Sequence, residues 1–138
     1  MKPRSLGSVR LRSNDPREPL LIDHGFLNDE QDAEVLAEGV DALRQLASSD
    51  AVRRYAAREV RPGADVDAAT HVRTGVRGFF HPTGTCAVGR VVDGEGRVLG
   101  FENLHVADAS IIPSIPRANT NLTAAAIAEK LAVSLAAT

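Results

Sequence analysis

The chain has 138 residues, of which 43% are hydrophobic and 25% charged, and its formal net charge is −2. This length fits one domain over residues 1–138, with the composition of an ordinary soluble globular protein. The near-neutral charge excludes bulk electrostatic attraction to nucleic acid or an anionic membrane. The single cysteine excludes an internal disulfide. No signal peptide or membrane-spanning stretch is recognisable, so the cytoplasm is the expected location.

The N-terminal half predicts two extended segments followed by helices. Residues 8–12 alternate apolar and polar side chains, which predicts a short strand, and residues 19–23 are extended and apolar. A long helix is predicted over residues 29–48, with shorter helices over residues 50–57 and 65–75. The long helix carries an apolar stripe at helical spacing, made of Val35, Leu36, Val40, Leu43 and Leu46.

The C-terminal half changes to glycine, proline, threonine and short apolar runs. Residues 91–98 predict a hairpin with Asp93 and Gly94 in its turn. Residues 104–107 predict a buried strand, because Leu104 and Val106 alternate with polar neighbours. A final helix is predicted over residues 121–135, packing through Leu122, Ile127, Leu131 and Leu135. These elements together indicate an α/β domain.

The residues suited to chemistry lie in this second half. His81 follows two phenylalanines and precedes a proline, which would limit its motion and partly remove it from water. Histidine is the commonest general base near neutral pH, although a histidine bonded only to a backbone carbonyl fits the same residues. The start of the last helix offers free N–H groups and partial positive charge. Such a helix end suits a phosphate, a carboxylate or an anionic ring. A plain helix cap with no ligand fits the same residues.

Other catalytic arrangements are disfavoured. Cys86 and His81 are five residues apart across a glycine turn, with no third group to orient them, so Cys86 is interpreted as a small buried side chain. The scattered histidines indicate no metal site, and no Gly-x-Gly-x-x-Gly lies between a strand and a helix. The residues alone indicate a candidate site made of His81, Asp108 and the helix opening at residues 119–123.

Three motifs in this region resemble the C-terminal end of the glucose-methanol-choline (GMC) oxidoreductases. They are His-Pro-Thr-Gly-Thr-Cys-Ala-Val-Gly at residues 81–89, Asn-Leu-His-Val-Ala-Asp-Ala-Ser-Ile-Ile-Pro at 103–113, and Asn-Thr-Asn-Leu-Thr at 119–123. Their order and spacing agree with that family, and residues 5–11 and the long helix match it more weakly. The resemblance implies an α/β fold of the α+β type, with helices packed on a small, mostly antiparallel sheet.

The resemblance also implies roles for individual residues. His81 matches the family's catalytic base, which takes the alcohol proton as hydride moves to flavin N5 of FAD. Asn119 matches the second active-site position and would hydrogen-bond the substrate oxygen. Cofactor-binding positions of the family match Asp108, Ala109, Thr120, Asn121 and Thr123. Asp108 and Ala109 would meet the ribityl and pyrophosphate region of the cofactor. Thr120, Asn121 and Thr123 would present the helix N-terminus to the pyrimidine edge of the flavin.

The family's FAD-binding, Rossmann-like domain has no counterpart in this sequence. The resemblance therefore implies the C-terminal part of an FAD-dependent alcohol oxidase or dehydrogenase, acting on CH–OH groups of a small-molecule alcohol or sugar. It would need an FAD-binding-domain polypeptide, as a separate subunit or as an N-terminal part, and would be inactive as an isolated chain. The alternative is a non-catalytic interaction module, or a truncated remnant of such an enzyme.

Overall fold

The computed structural model describes residues 2–56 and 58–136, which form two compact units. The N-terminal unit is Arg4–Gly78, and the C-terminal unit is Phe79–Thr138 with Met1–Pro3. The described elements are strands β1 (Ser8–Arg10) and β2 (Leu21–Asp23), helices α1 (Glu30–Ser48), α2 (Asp50–Arg53) and α3 (Ala68–Gly75), a 3-10 helix (Ala109–Ile111) and helix α4 (Thr120–Ala136). The predicted fold class, with a small antiparallel sheet, is confirmed. One domain over residues 1–138 stays a prediction.

Strands β1 and β2 pair antiparallel, with Val9 opposite Ile22, and both predicted extended segments are confirmed in shorter form. Two glycines next to the ladder allow the chains to approach closely. A Cβ on Gly7 would lie 2.2 Å from the carbonyl oxygen of Asp23, and a Cβ on Gly25 would lie 2.2 Å from that of Leu6. Any larger residue at either position would push the two segments apart.

The helices of the N-terminal unit begin at aspartates that cap them. Asp29 accepts the N–H of Gln31 at 3.0 Å, and Asp67 accepts the N–H of Thr70 at 2.8 Å. These bonds satisfy N–H groups that a helix start leaves unpaired, and the predicted helix starts are confirmed within a few residues. Helix α1 packs against α2 and α3. The end predicted for the second helix, Ala57, lies outside the described residues, and α2 ends at Arg53.

A buried carboxylate joins the segment before β1 to the first turn of α1. Asp32 is only 6% exposed and accepts the N–H of Arg4 at 2.9 and 3.0 Å and the N–H of Ser5 at 2.7 Å. Burial raises the pKa of Asp32, but hydrogen bonds from the side chain of Ser5 and from both N–H groups outweigh it and lower the pKa below its usual value. The carboxylate of Asp32 is therefore ionised, and hydrogen bonds within the fold satisfy it.

The core of the C-terminal unit forms around Val92, Ile111 and Leu131. Partly buried side chains pack against them from the preceding loops and from α4: Cys86, Val88, Val91, Val98, Val106 and Ile127. The prediction that Leu122 packs inward is wrong, because it is 82% exposed. Helix α4 is apolar on most of its circumference, so the sequence does not mark which face is covered.

The region between the loops and α4 is less regular than predicted. Residues 93–96 form the expected turn, with the N–H of Gly96 donating to the carbonyl of Asp93, and Val92 bridges to Val98. The hairpin predicted over residues 91–98 is therefore limited to this turn and to isolated bridges. The buried strand over residues 104–107 is wrong, because Leu104 is exposed and only His105 forms a bridge, to Arg97. The N–H of Val106 donates to the carbonyl of Gly96, and the N–H of Val98 donates to that of Leu104; these two bonds form this single bridge.

Large apolar side chains remain exposed in both units. Helix α1 carries its predicted stripe, but Leu43 is 67% exposed and Leu46 is 59% exposed. Other exposed apolar side chains are Leu6, Leu11, Tyr55, Val60, Phe79, Phe80 and Val133. Exposed apolar surface of this extent is typical of an interface. Among the described residues, no helix has the length and hydropathy needed to cross a bilayer.

Replacing Gly96 by alanine should destabilise the C-terminal unit. Gly96 has a φ of +71°, and a Cβ there would lie 2.7 Å from Leu131 Cδ1 and 2.7 Å from the carbonyl oxygen of Val106. We expect G96A to lower the free energy of unfolding by about 1–3 kcal/mol, because the core must shift to admit the methyl group. Urea unfolding followed by circular dichroism measures this. The control is G94A, where an added Cβ meets nothing within 4 Å. Equal stability of the two variants would contradict the expectation.

Replacing Asp32 by asparagine should destabilise the N-terminal unit by about 2 kcal/mol, because charge-assisted hydrogen bonds are lost. The folded-state pKa of Asp32 lies below its unfolded value of about 4, so the wild-type advantage is full above that pH. The stability advantage of the wild type over D32N shrinks as the pH falls through the folded-state pKa of Asp32, which is the lower of the two. Unfolding measured from pH 7 to pH 2 tests this. D41N, at an exposed ion pair with Arg44, should cost less than about 1 kcal/mol. A pH-independent difference between wild type and D32N would refute the assignment.

Candidate active site

His81 follows a sharp backbone bend. Phe80 has a φ of +59°, in the left-handed region that a phenylalanine rarely adopts. Such a conformation costs free energy and is often found next to functional side chains. The half-buried His81 ring lies 5.8 Å from the Phe79 ring, centroid to centroid, at an interplanar angle of 62°. Phe79 therefore lies edge-on to the imidazole, but both rings are largely exposed, with Phe79 78% and Phe80 92% exposed, so they do not remove His81 from water as the sequence predicted.

A hydrogen bond joins His81 to the start of α4. His81 Nδ1 lies 3.0 Å from the Oγ1 of Thr120, which is the first residue of the helix and 6% exposed. Within the described part of the C-terminal unit, His81 Nε2 has no protein partner. The structure therefore commits one ring nitrogen of His81 to Thr120. The sequence contains no sign of this bond, because the two residues are 39 positions apart.

Asp108 begins the 3-10 helix. Its carboxylate accepts the N–H of Ser110 at 2.8 Å. Hydrogen bonds from the Ser110 side chain and then from its N–H lower the pKa of Asp108, so the carboxylate is ionised at neutral pH. The expectation that Asp108 ends a strand is wrong, since the preceding residues form a loop. Asp108 is exposed, and Ala109 beside it is half-buried.

The loop that follows His81 pairs with this 3-10 helix. The N–H of Cys86 donates to the carbonyl of Ser110 at 2.9 Å, and the N–H of Val88 donates to that of Ile111 at 3.0 Å. Cys86 is half-buried and packs against the core, as a structural side chain does. The first two motifs, which are separated in the sequence, are thus joined by backbone hydrogen bonds.

The third motif opens α4, which packs against the 3-10 helix. Asn119 and Asn121 are exposed, and Thr123 is half-buried in the first turn. The side chain of Thr120 is turned into the protein, so only its backbone N–H is available at the helix end. All three motifs therefore meet in one region of the C-terminal unit.

The chain is similar to proteins of a known family. The sequence model of the GMC oxidoreductases matches residues 3–128. The chain is 39% identical, over 140 residues, to oxygen-dependent choline dehydrogenases from Klebsiella pneumoniae and Escherichia coli. Each alignment covers 96% of this chain and 25% of the relative. The chain thus spans about a quarter of the length of these relatives.

Solved structures show the same fold. Pyridoxine 4-oxidase from Mesorbium loti superposes with a TM-score of 0.91 at 30% identity, covering 99% of this chain and 28% of the oxidase. Formate oxidase from Aspergillus oryzae, whose structure concerns modification of its FAD, gives a TM-score of 0.80 at 30% identity over 91% of this chain and 24% of the oxidase. A fungal aryl-alcohol oxidase gives 0.75 at 31% identity, over 91% of this chain and 22% of its own.

The family match extends well beyond the three motifs and includes both strands and α1 to α3. The similarity in fold covers the same elements in proteins that are at least 30% identical. The chain belongs to the GMC oxidoreductase family and corresponds to its C-terminal part.

Proposed function

We propose that this chain supplies the catalytic residues of an FAD-dependent oxidoreductase that oxidises CH–OH groups of small alcohols or sugars. The observation that carries the proposal is the bond between His81 and Thr120, which places a candidate base beside the N-terminus of α4. The relatives support it, because they are named as a choline dehydrogenase, a pyridoxine oxidase and an aryl-alcohol oxidase.

The residues at this end of α4 fit FAD. The first turn of a helix leaves N–H groups without partners inside the helix, and those of Thr120 and Asn121 would face the electron-rich pyrimidine edge of the flavin, with the side chain of Thr123 at the end of the same turn. The exposed carboxylate of Asp108 is an acceptor for ribityl hydroxyl groups, with Ala109 beside it along the chain toward the pyrophosphate. Bound FAD would supply the hydride acceptor.

The proton is handled by His81. Its Nε2 would take the proton of the substrate hydroxyl, since Nδ1 is committed to Thr120. The exposed amide of Asn119, directly before Thr120, would hydrogen-bond the substrate oxygen. Because an amide does not titrate near neutral pH, Asn119 orients the oxygen while His81 moves the proton.

The rest of the site would come from an FAD-binding-domain polypeptide with a Rossmann-like fold, as a separate subunit or as an N-terminal part. Two observations support this partner. The chain spans about a quarter of the length of its relatives, and large apolar side chains in both units are exposed. An interface that covered them would complete the cofactor site, so the isolated chain should be inactive. The cytoplasm stays the predicted location.

We expect FAD to be retained only with the partner. The chain is purified alone and after co-expression with a polypeptide that carries a strand–Gly-x-Gly-x-x-Gly–helix unit, and visible absorbance spectra are recorded. Flavin absorbance should appear in the co-purified complex and not in the isolated chain, because Asp108 and the α4 N-terminus form only part of the cofactor site. Absence of flavin from both samples, with no co-eluting partner, would favour the non-catalytic interaction module.

Replacing His81 by glutamine should remove the base. In the reconstituted complex we expect H81Q to lower kcat by about 10²- to 10⁴-fold, the range for loss of a general base. Turnover is measured against a panel of small alcohols and sugars, with flavin content determined for each preparation. The matched control is H24Q, because His24 is an exposed histidine stacked on Phe26 in the N-terminal unit. Turnover of H81Q close to that of the wild type would exclude His81 as the base.

A further inference from the structure

The β1–β2 hairpin carries one face that is made only of exposed apolar side chains. Val9 lies opposite Ile22 in the ladder, so both side chains lie on the same face. Leu11 and Leu20 lie two positions along the chain from Val9 and Ile22, and the alternation of an extended segment returns their side chains to that face. All four side chains are exposed, and together they define the apolar hairpin face.

The opposite face of the ladder is mostly polar, since it carries the pairs Ser8–Asp23 and Arg10–Leu21. An antiparallel sheet with one polar and one apolar face usually turns the apolar face toward a core. Here neither strand packs against any other helix or strand in the described part of the chain. The exposure of the four apolar side chains means that the connecting segments do not cover them either. The apolar hairpin face therefore has no cover within the N-terminal unit.

The hairpin is nevertheless held in place at both ends. At its root, Asp32 of α1 accepts the N–H groups of Arg4 and Ser5, directly before β1. In the connection between the strands, Asp15 accepts the N–H of Arg17 at 3.0 Å and its guanidinium at 2.7 Å. A two-stranded hairpin alone is marginally stable in water, so these bonds fix a ladder that packing does not.

We propose that the apolar hairpin face is a docking surface for the FAD-binding-domain polypeptide, and that it meets an apolar surface of that partner. The identity of the partner rests on the proposed function, whereas the surface follows from the hairpin itself. A contiguous apolar patch of this kind marks an interaction site, because exposed apolar side chains of a monomer are usually scattered.

The chemistry of the face and the length of the relatives indicate this occupant. The apolar hairpin face has no charged side chain, so it offers nothing to nucleic acid or to another anionic partner. The choline dehydrogenases align with 96% of this chain but with only 25% of their own length. In those relatives the remaining polypeptide accompanies this part without any association between copies. A second copy of this chain is the competing occupant.

A charge placed on either face of the same strand tests the proposal. I22D alters the apolar hairpin face, and L21D is the matched control on the opposite face, at residues that are 59% and 41% exposed. The affinity of each purified variant for the FAD-binding-domain polypeptide is measured by titration calorimetry. We expect I22D to raise Kd about 10- to 100-fold and L21D to raise it less than about 3-fold, because only the first charge would be buried. Equal effects of the two variants, or none, would overturn the proposal.

The isolated chain provides an independent readout. Because both side chains are exposed there, I22D and L21D should unfold at similar urea concentrations, as followed by circular dichroism. A much larger destabilisation by I22D would show that the face packs within the chain, and would refute a docking role. If I22D does not fold, V9D places the charge at the opposite residue of the same face and decides the question.

Light scattering after size-exclusion chromatography, with flavin absorbance and turnover, separates the remaining outcomes. A wild-type dimer that I22D converts to a monomer, with no partner complex, would make a second copy the occupant and overturn the proposal. A wild-type chain that is monomeric and binds no partner would also overturn it. A complex that requires Ile22 but has neither flavin nor turnover would support the docking surface and refute the proposed function. A flavin-containing, active complex that I22D leaves intact would refute the docking surface alone.

Discussion

A hydrogen bond between His81 and Thr120, 39 positions apart, joins the parts of the candidate active site. It depends on where α4 begins and on how α4 is seated, since Thr120 is its first residue and Leu131 lies in the core with Val92. The 3-10 helix packs against α4, and the loop after His81 pairs with the 3-10 helix through backbone bonds. The position of His81 is thus set by the same packing that stabilises the C-terminal unit.

The N-terminal unit relies on a comparable polar link. Asp32 is buried, and its charge is satisfied by backbone N–H groups from the segment before β1. Burying a carboxylate costs free energy unless several hydrogen bonds replace water, and here they do. In both units a polar side chain that the fold has removed from water connects segments that apolar contacts alone do not fix. Each of these two links requires that the helix carrying the polar side chain, α1 for Asp32 and α4 for Thr120, begins at the observed residue.

The sequence predicted the features that depend on local chemistry. The helix starts predicted at residues 29 and 65 lie within two residues of the observed caps, Asp29 and Asp67, because an N-cap acts over a few residues. The strand over residues 104–107 was wrong because a short segment can show the same alternation as a strand, while here only His105 forms a bridge, to Arg97. The helical periodicity predicted the apolar stripe of α1 that includes Leu43 and Leu46, but it did not predict which surface packs against that stripe. His81 was proposed as a candidate from its neighbours in the chain, whereas its bond to Thr120 depends on the fold.

Helix α4 has a consequence for biosynthesis. It contributes Leu131 to the core and Thr120 to the bond with His81, and both residues are translated after every other part of the C-terminal unit that they contact. Until α4 leaves the ribosome, the nascent unit has an unfilled core beside Val92 and a histidine without its partner. The core of this unit and the hydrogen bond of His81 are therefore both completed only when α4 is in place. The growing chain meanwhile exposes apolar surface that molecular chaperones recognise.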